Sequence, residues 1–207
     1  MFSIKKKLNG TVHGVCNGKR NFMKTFHRCS DKQVSFDHKI MTAEEALSKY
    51  VKPGHRIFIH GGCSSPKHVM KHMQCLEKSH RKYELIGMNT TFYENQVAPH
   101  LGWRNSKLFH TNVFVLGKDE RDAIHACNEH HCQDGDQVDY LPIFLSEVPQ
   151  LFKSGKMPID VSLIQVSKPD IHGFCSLGLS VDISAAAAFE SRIVIAQVSE
   201  EYVLTSI

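Results

Sequence analysis

Long apolar runs are absent from this 207-residue sequence. No uncharged stretch approaches the roughly 20 residues that a membrane-spanning helix requires, so stable membrane insertion is not expected. Glycine and proline are few, at 13 and 7 residues, which excludes collagen and other low-complexity classes. With 42% apolar and 22% charged residues, the chain is too apolar for a disordered protein and can bury one sizeable core.

Paired cysteines are also missing. The seven cysteines are widely spaced and form no C-x-x-C motif, which favours reduced thiols in an intracellular compartment over a disulfide framework. The densest cluster of histidine and cysteine, residues 125–132, raises the alternative of a zinc site. Its spacing fits no common zinc finger or ribbon, so we interpret it as a polar helix end and expect no metal and no resident cofactor.

Acidic residues are absent from the first thirty positions. Residues 1–40 hold nine Lys or Arg and two acids, a net charge of +7, whereas the rest holds sixteen and nineteen, a net −3. A basic, acid-free N-terminus resembles a mitochondrial transit peptide, and a disordered basic tail is the alternative for residues 1–41. Because the body is slightly acidic and shows no recognised binding motif, we expect no nucleic-acid partner.

The remaining sequence alternates short apolar runs with helical patterns. Residues 42–45, Thr-Ala-Glu-Glu, form a capping box that predicts a helix start. Apolar runs predict strands at residues 56–59, 83–88, 112–116, 138–141, 159–166 and 192–198. Helical spacing predicts helices near 66–80, 119–129, 144–153 and 184–190, with Pro149 kinking the third. We therefore predict one α/β domain over 42–198, with a mostly parallel sheet flanked by helices, and a divergent tail at 199–207.

Two loops follow predicted strands, at the place where open α/β sheets bind ligands. The first contains Gly61, Gly62, Cys63, Ser64, Ser65 and Pro66. Its paired glycines allow close backbone approach, and a helix beginning near Pro66 would direct its positive end toward an anion or a carbonyl oxygen. A tight strand-to-helix turn needs the same residues. We interpret Cys63 as a packing thiol, with a helix-start nucleophile as the alternative.

The second loop combines an acid, an imidazole, hydroxyls and glycines after a strongly apolar strand. Its candidate residues are Ser167, Pro169, Asp170, His172, Gly173, Ser176 and Gly178. Asp170 and His172 are either an acid–base pair or a pair that only fixes the loop. Such composition is typical both of functional loops and of ordinary turns.

Four segments together resemble the acetyl-CoA hydrolase / 4-hydroxybutyrate CoA-transferase family. They read VKPGHRIF (51–58), DYLPIFLSEVP (139–149), DVSLIQVSKPDIHGFCSLGLSVD (160–182) and IVIAQV (193–198), in the order in which the family carries them. The resemblance implies a CoA-transferase fold of two similar halves. It also implies a ping-pong reaction in which a glutamate carboxylate attacks an acyl-CoA thioester, with coenzyme A as substrate and a small carboxylic acid, typically acetate, as acceptor or donor.

The resemblance covers only the N-terminal half of that family. Its members are about twice as long, and their nucleophilic glutamate lies in the second half, so no catalytic residue is expected in this chain. We expect a fragment, a short isoform or a truncated gene model that is inactive alone. The two loops would line the cleft facing the second half. The alternative function is a non-catalytic module that pairs with a full-length subunit or with a second copy.

Fused to a reporter protein, residues 1–40 are expected to direct it to mitochondria. The physical reason is that a cationic, acid-free segment is attracted to anionic lipid and driven inward by a negative membrane potential. Microscopy of the fusion with a mitochondrial marker checks this. A reporter that stays in the cytosol would contradict the prediction.

Overall fold

A single parallel sheet organises the chain. The computed structural model describes residues 12–16, 40–78, 82–88, 108–129, 138–169 and 175–199. Its seven strands run in the order β1-β7-β6-β2-β3-β4-β5, and every neighbouring pair is parallel. They are β1 Val12–Cys16, β2 Arg56–Ile59, β3 Tyr83–Gly87, β4 Phe109–Val113, β5 Val138–Tyr140, β6 Val161–Ser167 and β7 Ile193–Ser199. The predicted α/β class with a parallel sheet is confirmed.

Helices cover both faces of the sheet. They are α1 Ala43–Tyr50, α2 Lys67–Lys71, α3 Lys118–Glu129, α4 Val148–Lys153 and α5 Ser184–Glu190, with 3₁₀ helices at Gly62–Ser64 and Met73–Lys78. Alternation along β2 shows how the layers form, because successive side chains of a strand point to opposite faces. Ile57 and Ile59 pack with α1 and α2, whereas Phe58 packs with α4 and α5. Burying each such side chain stabilises the fold by about 1.5–3 kcal/mol.

The capping box at the start of α1 is confirmed. The Thr42 hydroxyl accepts a hydrogen bond from the Glu45 N–H at 3.2 Å, and the Thr42 N–H donates to the Glu45 carboxylate at 2.9 Å. These bonds from Thr42 lower the pKa of Glu45. The cap fixes the end of a helix whose Ala46 and Leu47 are fully buried against the sheet.

The predicted helical stretch near 66–80 is confirmed over residues 67–71 and 73–78, but the second part is not α-helix. Regular α-helix ends at Lys71, and residues 73–78 continue as a 3₁₀ helix. Met70, Met73 and Leu76 are all buried against α1 and the sheet. Their spacing of three residues matches the three-residue turn of a 3₁₀ helix, which places all three along one line. Contact with the core therefore selects the tighter helix.

Two further boundaries differ from the prediction. β4 spans 109–113, not 112–116, because it pairs with β3, which ends at Gly87 opposite Val113. The described residues show no pairing of β4 with β3 beyond that pair. Helix α4 begins at Val148, so Pro149 lies in its first turn and starts the helix instead of kinking it. The preceding residues Phe144 and Leu145 are exposed in the connection from β5.

β1 lies at the edge of the sheet, where Val12 pairs with Val194 and Cys16 with Val198. The strand falls inside the segment for which we predicted a leader or a disordered tail. The division of the chain at residues 41 and 198 stays a prediction, and residues 200–207 of the proposed tail lie outside the described part.

Replacing Thr42 with Ala is expected to lower the free energy of unfolding by about 1 kcal/mol, because the helix loses its N-cap acceptor. Thr42→Ser keeps the hydroxyl and is the matched control. Urea denaturation of both variants checks this. Equal midpoints for Thr42→Ala and Thr42→Ser would show that the cap contributes nothing measurable.

Candidate functional site

The two loops singled out in the sequence meet at the carboxyl edge of the sheet. Residues 61–66 follow β2, and residues 175–180 complete the loop that follows β6, the strand hydrogen-bonded to β2. In open α/β sheets this edge, beyond the carboxyl ends of the strands, is where ligands bind. We call residues 61–66 together with residues 177–180 the platform.

Three hydrogen bonds hold the two parts of the platform together. The Cys63 N–H donates to the Ser180 hydroxyl at 3.2 Å. The Ser64 hydroxyl donates to the Leu177 carbonyl at 3.2 Å and accepts from the Ser180 N–H at 3.3 Å. Ser64 is fully buried, so this bridging hydroxyl is structural. The two loops are therefore held together as one unit. The sequence placed both loops after strands, and the tertiary structure brings them into contact.

Gly62 is the tightest point of the platform. Its φ of +59° lies in the left-handed region, and a Cβ built there would stand 2.7 Å from the Ser180 hydroxyl oxygen. Both the backbone conformation and the close approach of residue 180 therefore require glycine at this position. This explains one of the paired glycines by packing inside the platform.

The hydroxyl of Ser65, the other serine of the first loop, is also hydrogen-bonded within the platform. The Ser65 hydroxyl donates to the Gly62 carbonyl at 2.9 Å, and Ser65 and Pro66 are both buried. Gly61 is buried as well. The Cys63 side chain is exposed, so the interpretation of Cys63 as a packing thiol is wrong. Helix α2, which begins after Pro66, has only five residues, and its His68 and Val69 N–H groups donate to the Gln197 side chain. The platform carries no charged side chain of its own.

The second loop is closed at its base by two serines. The Ser167 N–H donates to the Ser176 carbonyl, and the Ser176 N–H donates to the Ser167 hydroxyl, both at 2.9 Å. The Gly178 N–H then donates to the Ser176 hydroxyl at 3.1 Å. Pro169 is half-buried at the start of the loop. Asp170, His172 and Gly173 lie outside the described residues.

His60 lies beneath the platform and was not among the sequence-predicted site residues. It follows β2 directly and is fully buried. Its Nε2 hydrogen-bonds the Ser180 carbonyl, and its Nδ1 accepts from the Gln165 N–H at 3.3 Å. A neutral imidazole with the proton on Nε2 satisfies both partners. Burial lowers the pKa of His60, and the Ser180 carbonyl and the Asp182 charge offset only part of that effect.

Two glutamines, the buried Gln197 and the half-buried Gln165, extend this hydrogen-bonded network across the sheet. The Gln197 amide oxygen accepts from the N–H groups of His68 and Val69 at 3.0 and 3.3 Å, so it caps α2, which has no side-chain cap of its own. Its amide nitrogen donates to the Gln165 side-chain oxygen at 2.9 Å. An isolated glutamine within the apolar strand 193–198 was the available sequence signal, because a buried amide needs partners.

Exposed apolar side chains lie at or after the carboxyl ends of several strands, one of them within the platform. In the described part of the chain, the exposed large apolar residues are the last residue of β5 and four residues in the segments that follow β4, β5 and β6. They are Val115, Tyr140, Phe144, Leu145 and Leu179. Phe144 and Leu179 are 77% and 82% exposed, which is unusual for side chains of this size. We call these five residues the apolar rim.

Neither a metal centre nor a membrane span is found within the described ranges. There, no three His, Cys, Asp or Glu side chains converge in a way that could hold a metal ion. The helices of that part of the chain are also too short or too polar to cross a membrane. Most of the 125–132 cluster lies outside the described side chains.

Comparison with solved structures identifies the architecture. RipA from Yersinia pestis aligns with a TM-score of 0.66 and 21% identity, over 76% of this chain and 36% of its own. The 4-hydroxybutyrate CoA-transferase from Porphyromonas gingivalis aligns with a TM-score of 0.51 and 24% identity, over 78% of this chain and 33% of its own. At these identities the likeness establishes the fold alone, an α/β domain that these proteins share over about a third of their length.

Sequence comparison identifies the family. The model of the acetyl-CoA hydrolase/transferase N-terminal domain matches residues 23–203. The succinyl-CoA:acetate/propanoyl-CoA:succinate CoA transferase of Fasciola hepatica is 36% identical over 160 residues, 75% of this chain and 30% of that protein. The 4-hydroxybutyrate coenzyme A transferase of Clostridium kluyveri is 30% identical over 165 residues, 80% and 35% of the two chains. The chain belongs to the acetyl-CoA hydrolase/transferase family, and it spans about a third of the length of these relatives.

Gly62→Ala is expected to destabilise the protein more than Gly155→Ala does. Both glycines have positive φ, but a Cβ at Gly155 meets nothing within 4 Å, so that control carries only the backbone cost of about 1–2 kcal/mol. The additional loss at Gly62 measures the contact with Ser180. Chemical denaturation of the two variants checks this, and equal losses would contradict the packing argument.

A double substitution separates the steric cost from other effects. Ser180→Ala removes the hydroxyl that the new Cβ would meet, so Gly62→Ala should cost less in that background than in the wild type. Strict additivity of the two changes would show that they do not interact.

Proposed function

We propose that this chain provides the N-terminal domain of an enzyme of acyl-CoA metabolism that transfers coenzyme A between an acyl-CoA and a small carboxylic acid. Acetyl-CoA with acetate is the substrate class proposed, and water as acceptor would give hydrolysis. The observation that carries the proposal is the interlocked platform at the carboxyl edge of the sheet, in a domain of this family. Coenzyme A is here a substrate, not a resident cofactor.

The chemistry of the platform suits a surface that orients a ligand. Its serine hydroxyls at positions 64, 65 and 180 are engaged within the protein, and it has no carboxylate to act as a nucleophile. A neutral, glycine-bearing surface allows a thioester and a carboxylate to approach closely without adding charge repulsion. The covalent step through a glutamyl-CoA thioester would then depend on a glutamate outside this chain, and the chain alone would be inactive.

The apolar rim supports a second half beside the platform. Phe144 and Leu179 expose most of their side chains at the edge where the reaction would occur. Apolar surface of this kind commonly marks an interaction site. We propose that this rim contacts a second CoA-transferase half, on the same polypeptide or on another subunit. A non-catalytic module that pairs with a full-length subunit is the second candidate, and the same rim supports it.

Mitochondrial localisation is also proposed. Its support is the net charge of +7 on residues 1–40 against −3 on the rest of the chain. Acyl-CoA exchange is consistent with that compartment, and the reporter fusion described above is the test.

A chimaera tests the proposed function. Residues 40–199 of this chain would replace the matching N-terminal region of the Fasciola hepatica CoA transferase, to which it is 36% identical. We expect measurable exchange of labelled acetate into acetyl-CoA. Leu179→Asp should reduce it at least tenfold by burying a charge at the interface between the two halves, whereas Lys153→Asp, an exposed change at the end of α4, should not.

The outcomes of this experiment separate the two candidate functions. A folded chimaera with no exchange activity, while the parent enzyme is active in the same assay, would contradict the catalytic proposal. The unmodified 207-residue chain is expected to show no exchange by itself. Turnover by that chain alone would refute the assignment of the nucleophile to another half.

A further inference from the structure

His60 is a buried titratable group for which the proposed reaction has no chemical use. It is shielded from solvent, and its two ring nitrogens contact the chain on both sides of the second loop, at Gln165 and at the platform residue Ser180. A side chain placed in this way determines where residue 180 lies relative to β6. Residue 180 in turn holds Cys63 and Ser64 through its hydroxyl and its N–H.

We propose that His60 is a positioning residue that holds the platform together only as the neutral imidazole, so that acidification releases segment 177–180 from residues 61–66. In a functioning enzyme this would lower the affinity for the CoA substrate at acidic pH. That consequence rests on the proposed function, whereas the release of the platform does not.

The hydrogen bonds of His60 explain why one protonation state is required. Nδ1 accepts from the Gln165 N–H, so a proton added to Nδ1 would place two donors against each other. The Gln165 N–H would lose its acceptor inside the protein, and the imidazolium would be buried without a contacting anion. Both effects destabilise the closed platform, in which segment 177–180 is hydrogen-bonded to residues 61–66. Unpaired buried polar groups and buried charges each cost free energy.

The groups around His60 do little to stabilise its charged form. From the segment after the platform, the exposed Asp182 acts on it electrostatically and favours protonation. From β6 it meets the Gln165 backbone, behind which the neutral amides of Gln165 and Gln197 bond to each other. The first loop, residues 61–66, contributes no charge. Burial outweighs the hydrogen bond to the Ser180 carbonyl and the nearby Asp182 carboxylate, so the pKa of His60 in the closed platform is lowered.

The direction of the pH dependence follows from this lowered pKa. In the released or unfolded state His60 regains an ordinary pKa of about 6.5 and takes up a proton below it. In the closed platform His60 stays neutral. The free energy that favours the closed over the released state is therefore largest above about pH 6.5 and decreases as the pH falls below that value. The population of the open platform should rise by up to about tenfold per pH unit in that range.

Nuclear magnetic resonance of the full 207-residue chain tests the inference. With ¹⁵N-labelled histidine at pH 7.5, His60 is expected as the neutral tautomer protonated at Nε2. Amide hydrogen exchange of Cys63 and Ser180, corrected for the intrinsic pH dependence, should lose protection between pH 7.5 and 5.5. Constant protection over that range, or a charged His60 at pH 7.5, would overturn the proposal without any variant.

Two matched variants identify the titrating residue. His60→Gln can still donate to the Ser180 carbonyl but does not titrate, so protection at Cys63 and Ser180 should become independent of pH. His68→Gln is the control, because burial also lowers the pKa of His68, on α2. It should retain the pH dependence of the wild type. Loss of that dependence in His68→Gln, with His60→Gln unchanged, would assign the effect to His68 and refute the proposal.

Coenzyme A titration of the same samples separates this inference from the proposed function. Binding that weakens below pH 6.5 in the wild type and not in His60→Gln supports both. If the isolated chain does not bind coenzyme A at any pH, the exchange data still decide the role of His60, and the activity of the chimaera decides the proposed function.

Discussion

The parallel pairing of β2 with β6 is the constraint on which the candidate site depends. Ile57 lies opposite Val161 and Ile59 opposite Leu163, and the His60 N–H continues the ladder by donating to the Leu163 carbonyl at 2.9 Å. Because parallel strands end at the same edge, two loops more than a hundred residues apart in sequence leave the sheet side by side. Their hydrogen bonds through Ser64 and Ser180 then need little further ordering of the chain. Contacts elsewhere in the domain add stability, but the relative position of the two loops depends on the pairing of β2 with β6.

The side chains of His60, Gln165 and Gln197 at this edge are neutral and hydrogen-bonded. Hydrogen bonds of three side chains, His60, Gln165 and Gln197, connect β2, β6, β7 and the start of α2. Apolar side chains in their place would leave the N–H groups of Gln165, His68 and Val69 without these acceptors. A neutral network avoids the large cost of burying charge and still specifies one arrangement of the loops. The same neutral network makes the proposed pH dependence possible, because a proton added to Nδ1 of His60 would face the Gln165 N–H donor.

Prediction from sequence succeeded where local signals were strong. The capping box at Thr42, the apolar run of β6 and the helix at 184–190 agree with the structure because each depends on neighbouring residues. It failed where long-range contacts decide: the 3₁₀ helix after α2 follows from packing against the core, and the limits of β4 follow from the length of β3. His60 was missed for the same reason, since its partners lie more than a hundred positions away.

By itself, the sequence determined the α/β class, the two loops beyond the strand ends, the resemblance to CoA-transferases and the uneven distribution of charge. Those properties depend on composition, local spacing and motifs, which can be recognised without knowing which residues are in contact. Only the tertiary structure decided that the two loops form one platform, that Gly62 faces Ser180, and that a histidine and two glutamines lie beneath them. The physical reason is that hydrogen bonds and close packing act across space, and parallel strand pairing brings together residues that the chain keeps far apart.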